Sequence, residues 1–306
     1  MRERVRKVID QTGYAPNRAA QSLASNRSNM IGVFIPLVGQ SDLFSDPYYG
    51  KLIRGISREC NQQNYILTLF VLEAGDAERD TFANVVNNNF LDGFIITAST
   101  LDNPFTDMLK QRQIPFVMVG RSADEMGVST IDADNIGGAH IAVSHLLRTG
   151  YQRIAMIAPE LGTAVGQDRL QGYQQALRER DIEIDEALIV EADFTFEGGA
   201  NAMRQLLPHR PDAVFGGSDL MAMGAMQVIS AAGLDVPGDI AVVGFDDFRD
   251  ALNATPKLTT VRQPVERAGS IALRMLIDMI DRPETQPSRT ILPVELIIRE
   301  SCGALD

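Results

Sequence analysis

The sequence predicts an α/β protein with two doubly wound parallel-sheet subdomains facing each other across a hinged cleft, preceded by a short helical arm. Three observations lead there. From residue 30 onward, short apolar runs rich in Val, Ile and Phe alternate with longer amphipathic stretches, which is the pattern of successive βαβ units. Some ten such runs occur, and they suit two open sheets better than one. The 306 residues also exceed what one hydrophobic core usually organises.

Taken in order, strands are expected at 30–36, 65–72, 91–98, 115–120, 129–132, 153–158, 188–191, 213–216, 240–245, 258–262 and 291–298. Helix patterns fall between them at about 47–62, 76–89, 103–112, 135–149, 167–180, 196–207, 218–232 and 264–281. A boundary lies near residue 133, after a strand and before the Gly137-Gly138 helix start. The final helix and strand follow a completed second half, so they are free to return to the first. The expected division is an arm at 1–29, a subdomain of 30–133 plus 262–291, and a second of 134–261 plus 292–306. Open α/β sheets bind ligands outside the carboxyl ends of their strands. Two facing sheets place both sets of ends around one cleft.

The charge is uneven. The chain totals −12, yet residues 1–29 carry Arg2, Arg4, Arg6, Lys7, Arg18 and Arg27 against Glu3 and Asp10. A basic arm on an acidic body meets nucleic acid only through the arm, the alternative being a solvated helix face. No run of about 20 apolar residues supports a membrane span. The opening MRERVRKVID has no apolar core of a secretory signal. Two cysteines, Cys60 and Cys302, argue against a disulfide framework and for a reduced, cytoplasmic setting.

Enzyme signatures are weak. His140 and His145 are five apart on one helix pattern and diverge around it, which suits no common metal. Gly216-Gly217-Ser218-Asp219-Leu220 lacks the second glycine of a nucleophile elbow. There is no phosphate-binding loop or dinucleotide fingerprint. No catalytic residue, cofactor or metal is expected.

Specific motifs run almost the length of the chain. The stretch GYAPNRAAQSLASNRSNMIGVFIP is followed by Asp46-Pro47-Tyr48-Tyr49, Asp134-Asn135-x-x-Gly138 and His145-Leu146 with Gly150-Tyr151. Then come Arg169-x-x-Gly172-Tyr173, Ser218-Asp219-x-x-Ala222-x-Gly224-Ala225 and Val236-Pro237-Gly238-Asp239-Ile240. Val243-Gly244-Phe245-Asp246-Asp247 and Leu258-Thr259-Thr260-Val261-Arg262-Gln263-Pro264 complete the series. Each is weak alone, but in this order they resemble the lactose/galactose repressor (LacI) family. That resemblance implies a core like the type I periplasmic binding proteins and a homodimer that represses transcription. It also implies a mono- or disaccharide effector and operator DNA as partners, with no membrane partner. A periplasmic-type sugar-binding protein and a regulator answering to a purine or nucleoside are the alternative readings.

The resemblance also assigns residues. A hinge helix built on Asn17, Arg18, Ala20 and Leu23 is implied, with Leu23 as the wedge that kinks DNA from the minor groove; otherwise Leu23 is the apolar anchor of a linker helix. The family places two more helices ahead of the one at 2–12, so most of the helix-turn-helix is expected to be missing from this chain. In the cleft, Arg169 offers a planar fork of donors and Asp246, at a strand end, a bidentate acceptor. Tyr48, Tyr49 and Phe194 are the candidate flat walls for a sugar. Arg121 and Ser218 are second choices at the rim, and Thr97 is a third. Asp246 as a helix N-cap, and Arg169 paired with Asp168, Asp246 or Asp247, are the structural alternatives. Asp134 and Asn135 are expected to cap their helix, and Asp219 to cap or brace a neighbour.

Overall fold

In the computed structural model, residues 27–37, 47–73, 76–87, 90–97, 104–121 and 127–304 are described. The hinge candidates Asn17, Arg18, Ala20 and Leu23 lie outside them. Two six-stranded sheets form the molecule. The first contains β1 (Met30–Leu37), β2 (Ile66–Glu73), β3 (Gly93–Thr97), β4 (Phe116–Val119), β5 (Ser129–Ala133) and β11 (Arg289–Leu292). Its order is β11-β5-β4-β3-β1-β2, and every pairing is parallel. The second contains β6 (Ile154–Pro159), β7 (Ile189–Ala192), β8 (Ala213–Gly216), β9 (Ala241–Asp246), β10 (Thr259–Arg262) and β12 (Glu295–Ile297). Its order is β12-β10-β9-β8-β6-β7, parallel except for the antiparallel β10–β12 edge. The two sheets share one strand order, and the predicted α/β class holds.

Helices cover both faces of each sheet, which is why central strands such as β3, β8 and β9 are buried throughout rather than on alternate residues. On the first sheet, α1 (Pro47–Gln63) and α9 (Val265–Asp281) pack on one face over Ile31, Val33, Ile95 and Val117. On the other face, α2 (Asp76–Asn87) and α3 (Pro104–Gln111) close an aromatic core. There Phe82 sits 4.3 Å from both Phe34 and Phe105, in the tilted and edge-on geometries that ring quadrupoles favour. On the second sheet, α4 (Asn135–Thr149) and α5 (Ala164–Arg178) take one face. The opposite face carries α6 (Phe196–Leu206) and α7 (Asp219–Ala231).

The chain passes between the halves three times: from β5 into α4, from β10 into α9, and from β11 to β12. Two of these crossings are tied together by the Asp134 N–H donating to the Leu292 carbonyl at 2.9 Å. The last crossing corrects one expectation. The apolar run at 291–298 reads as a single strand, but it is two short strands in different sheets, separated by Pro293-Val294. Proline has no N–H to give a ladder and marks the break. A short helix, α8 (Arg249–Asn253), follows β9 and was not expected.

Local chemistry fixes the helix starts around the cleft. Asp134 accepts from the Gly137 N–H at 2.8 Å and caps α4, as expected. Thr163 accepts from the Gly166 N–H at 3.0 Å and starts α5 three residues ahead of the expected 167. Arg169 therefore lies in the second turn of α5 rather than at its beginning.

A candidate effector site at the cleft

The approach of α5 to α4 builds the centre of the site. A Cβ at Gly172 would stand 2.2 Å from the Ile136 carbonyl oxygen, so only glycine lets the two helices come this close. The Tyr173 hydroxyl donates to the Ile154 carbonyl at 2.8 Å and pins α5 to β6. One turn earlier, Arg169 is thereby directed across the strand ends and is 3% exposed.

The Arg169 guanidinium is held on several sides. Its Nε donates to Asn135 Oδ1 at 3.0 Å, and its Nη1 donates to the Gly217 carbonyl just after β8. Its central carbon stands 3.7 Å from the centroid of the Phe245 ring. Its Nη2 faces Asp246 Oδ1 at 3.9 Å, too far for a direct hydrogen bond. Burial weakens the Arg169 charge, and Asp246 and Asp132 work against that loss. Asp246 closes β9 and accepts from Gln263 Nε2 at 2.5 Å, at the crossing into α9. It does not cap α8, whose N-cap is Phe248.

The other candidates are held by partners of their own. Arg121 donates from Nη2 to Asp168 at 2.9 Å, across the cleft, and its Nε is buried without a hydrogen-bond partner among the described residues. Asp168 is therefore the partner of Arg121, not of Arg169. Burial raises the Asp168 carboxyl above its ordinary range, and Arg121 offsets part of that. Tyr48 lines a narrow pocket with Asp132, Val119, Gln263 and Leu292. Burial, then the Asp132 charge, pushes the Tyr48 phenol up. Tyr49 stacks edge-on against Tyr48 at 5.5 Å and packs on the first-sheet core. Thr97 is buried and donates to the Phe34 carbonyl at 3.2 Å. The Ser218 hydroxyl caps α7, accepting from the Met221 N–H at 3.2 Å. Phe194, at φ +64°, packs on the core beneath α6 and α7.

Three polar residues here were not found by sequence reasoning. Asn135 does not cap α4, as expected of it, because Asp134 already does. Its amide instead links Asp132 Oδ1, at 3.2 Å, to Arg169. Asp132 and Gln263 complete the set at two of the three crossings. The available signal was their position at strand ends, which the expected strands at 129–132 and 258–262 already carried. Asp219 acts as a brace: it accepts from the Phe248 N–H at 2.8 Å and from the Thr260 hydroxyl.

Burial pushes the Asp132 carboxyl up to about 6. A carboxyl raised on folding takes up a proton as the chain folds, so its contribution falls as pH rises through the window from its ordinary value to about 6. Asp132→Asn keeps the shape and removes the charge. Its melting temperature should exceed that of the parent by a few degrees above pH 6, and the gap should close towards about pH 4. Paired calorimetric scans across that range check it; a gap that does not change with pH contradicts it.

With the geometry in place, the relatives can be compared. Residues 143–302 match the family model of the periplasmic binding protein-like domain. The transcriptional regulator CelR of Thermobifida fusca is 38% identical over 98% of this chain and 89% of its own length. The chain belongs to the LacI family of transcriptional regulators. Among solved structures, the complex of the transcriptional regulator CelR with cellobiose superposes with a TM-score of 0.86 at 36% identity, covering 98% of this chain and 90% of that one. The lac repressor dimer bound to operator and the anti-inducer ONPF gives a TM-score of 0.85 at 26% identity, over 98% and 89% of the two chains. The LacI-family relatives are regulators rather than enzymes. Among the described residues, no helix is long and apolar enough to cross a membrane, and no group of three His, Cys, Asp or Glu side chains could hold a metal.

Proposed function

We propose that this LacI-family regulator is a cytoplasmic, homodimeric repressor that binds a small carbohydrate between its two lobes and alters its affinity for operator DNA in response. The expected lobe boundary at 262 moves by one residue, because Arg262 ends β10 of the second sheet: the lobes are 30–133 with 263–291, and 134–262 with 292–306. The observation that carries this reading is the facing pair of Arg169 Nη2 and Asp246 Oδ1, 3.9 Å apart and buried between strand ends. A hydroxyl placed between them accepts from the guanidinium and donates to the carboxylate, which a polyol does and an apolar ligand does not. Arg121 Nε, without a hydrogen-bond partner among the described residues, and the Tyr48 ring supply a further donor and a flat wall. The CelR complex makes cellobiose the first effector to test. Because only differential affinity shifts a population, the sugar must favour one arrangement of the lobes over another. That rearrangement reaches DNA through residues 17–29.

Thermal unfolding of the chain with cellobiose, its monosaccharide, ribose and a nucleoside tests this. One or more of the sugars should raise the melting temperature in a dose-dependent way. Stabilisation by the nucleoside alone contradicts the carbohydrate reading.

A further inference from the structure

Lys51 belongs to none of the roles assigned above. It lies on α1, over the first sheet, but its ammonium reaches the second half of the molecule. Nζ donates to the Asp247 carbonyl oxygen at 2.9 Å and stands 4.8 Å from the centroid of the Phe248 ring. The segment it touches is unusual. Asp246 has φ +129° and Asp247 φ +55°, both positive at non-glycine residues and sterically costly.

Such a turn persists only when its surroundings over-determine it. From the second half, Asp219 takes the Phe248 N–H, while Arg262 and Arg299 grip the Asp247 carboxylate. From the other half come Gln263, which donates to Asp246 at the crossing into α9, and Lys51, whose contact is made from a separate element of that half, α1. We propose that Lys51 is a positioning residue that latches the two lobes together at the turn carrying Asp246. Its acceptor is a backbone carbonyl of that turn, so the contact exists only while α1 and the turn are apposed. Closing the lobes and fixing the turn that aims Asp246 thus share one hydrogen bond. Arg121 with Asp168 bridges the cleft elsewhere, but both are side chains already within the proposed effector site.

The consequence for effector binding rests on the carbohydrate reading, whereas the latch itself does not. The test is therefore made without ligand. Spin labels on Gln111→Cys in α3 and Gln227→Cys in α7, both exposed positions, report the distance between lobes by double electron–electron resonance. Cys60 and Cys302 are buried and carry no label. Lys51→Met keeps the aliphatic stem and removes the cation; it should shift the open-to-closed ratio about tenfold towards longer distances, the scale of one charge-assisted hydrogen bond. Lys51→Arg, which retains a donor and a cation for the ring, should keep the parental distribution. A Lys51→Met distribution matching the parent overturns the proposal, as does a Lys51→Arg distribution as displaced as that of Lys51→Met. Neither result depends on whether a sugar binds, so failure of the latch is distinguishable from failure of the effector reading.

Discussion

Arg169→Ala should abolish the sugar-induced rise in melting temperature and lower the intrinsic stability by about 3–5 kcal/mol. Both effects follow from the guanidinium's surroundings. Its removal strands Asn135 Oδ1 and the Gly217 carbonyl and takes a neighbouring positive charge from the buried Asp246 carboxylate, and uncompensated buried polar groups carry most of such a loss. It also empties the space over the Phe245 ring. A stability loss alone is a weak test of binding, so Asp246→Asn is its companion. That variant keeps the shape and an oxygen able to accept from Gln263, but has no carboxylate. It should remain folded and lose at least tenfold in effector affinity by titration calorimetry. Full affinity in Asp246→Asn would remove the carboxylate from the site.

Arg299→Ala should cost a similar amount, about 3–5 kcal/mol, from a position outside the cleft pair. Arg299 is buried. Its guanidinium donates to the Leu258 carbonyl at 2.8 Å and to Asp247 Oδ1, and its backbone N–H donates to the Thr259 hydroxyl at 2.9 Å. Burial raises the Asp247 carboxyl, but hydrogen bonds from Arg299 and Arg262 more than reverse this and leave it below its ordinary value. A depressed carboxyl contributes stability above its unfolded value and loses it as pH falls through the folded one. The acid limb of the parent's stability profile should therefore be shallower in Arg299→Ala. Effector affinity should also fall, although Arg299 is not assigned to the ligand, because the 246–248 turn loses a grip. Unchanged calorimetric stability in this variant would mean that the Asp247 network contributes nothing.

How much of this was legible in the sequence depends on the kind of signal. Strands such as 213–216 and 240–245 were readable because both faces are covered, so their apolar runs are unbroken. The 291–298 run misled for the same reason: periodicity registers burial, not which sheet does the burying, and Pro293 was the sole mark of the switch. At the site, the motifs singled out Arg169 and Asp246, and Asp246 had its strand-end position as a second signal; the structure brings the two within 3.9 Å of each other. Asn135 was misread because an Asp-Asn pair before a helix offers two candidate caps, and only three-dimensional geometry decides that Asp134 takes the role. Phe245 was assigned to a strand and not to a ring wall, since nothing local says which strand residue lies beneath an arginine from another element. Ser218 looked like a rim contact by motif, but its hydroxyl is engaged at the start of α7. The hinge residues 17, 18, 20 and 23 rest on the resemblance alone.

The most direct measurement is a crystal structure of the chain with the sugar that stabilises it. It should show one hydroxyl within about 2.7–3.0 Å of both Arg169 Nη2 and Asp246 Oδ1, between the strand ends of the two sheets. A sugar bound elsewhere, with that pair untouched, would contradict the account.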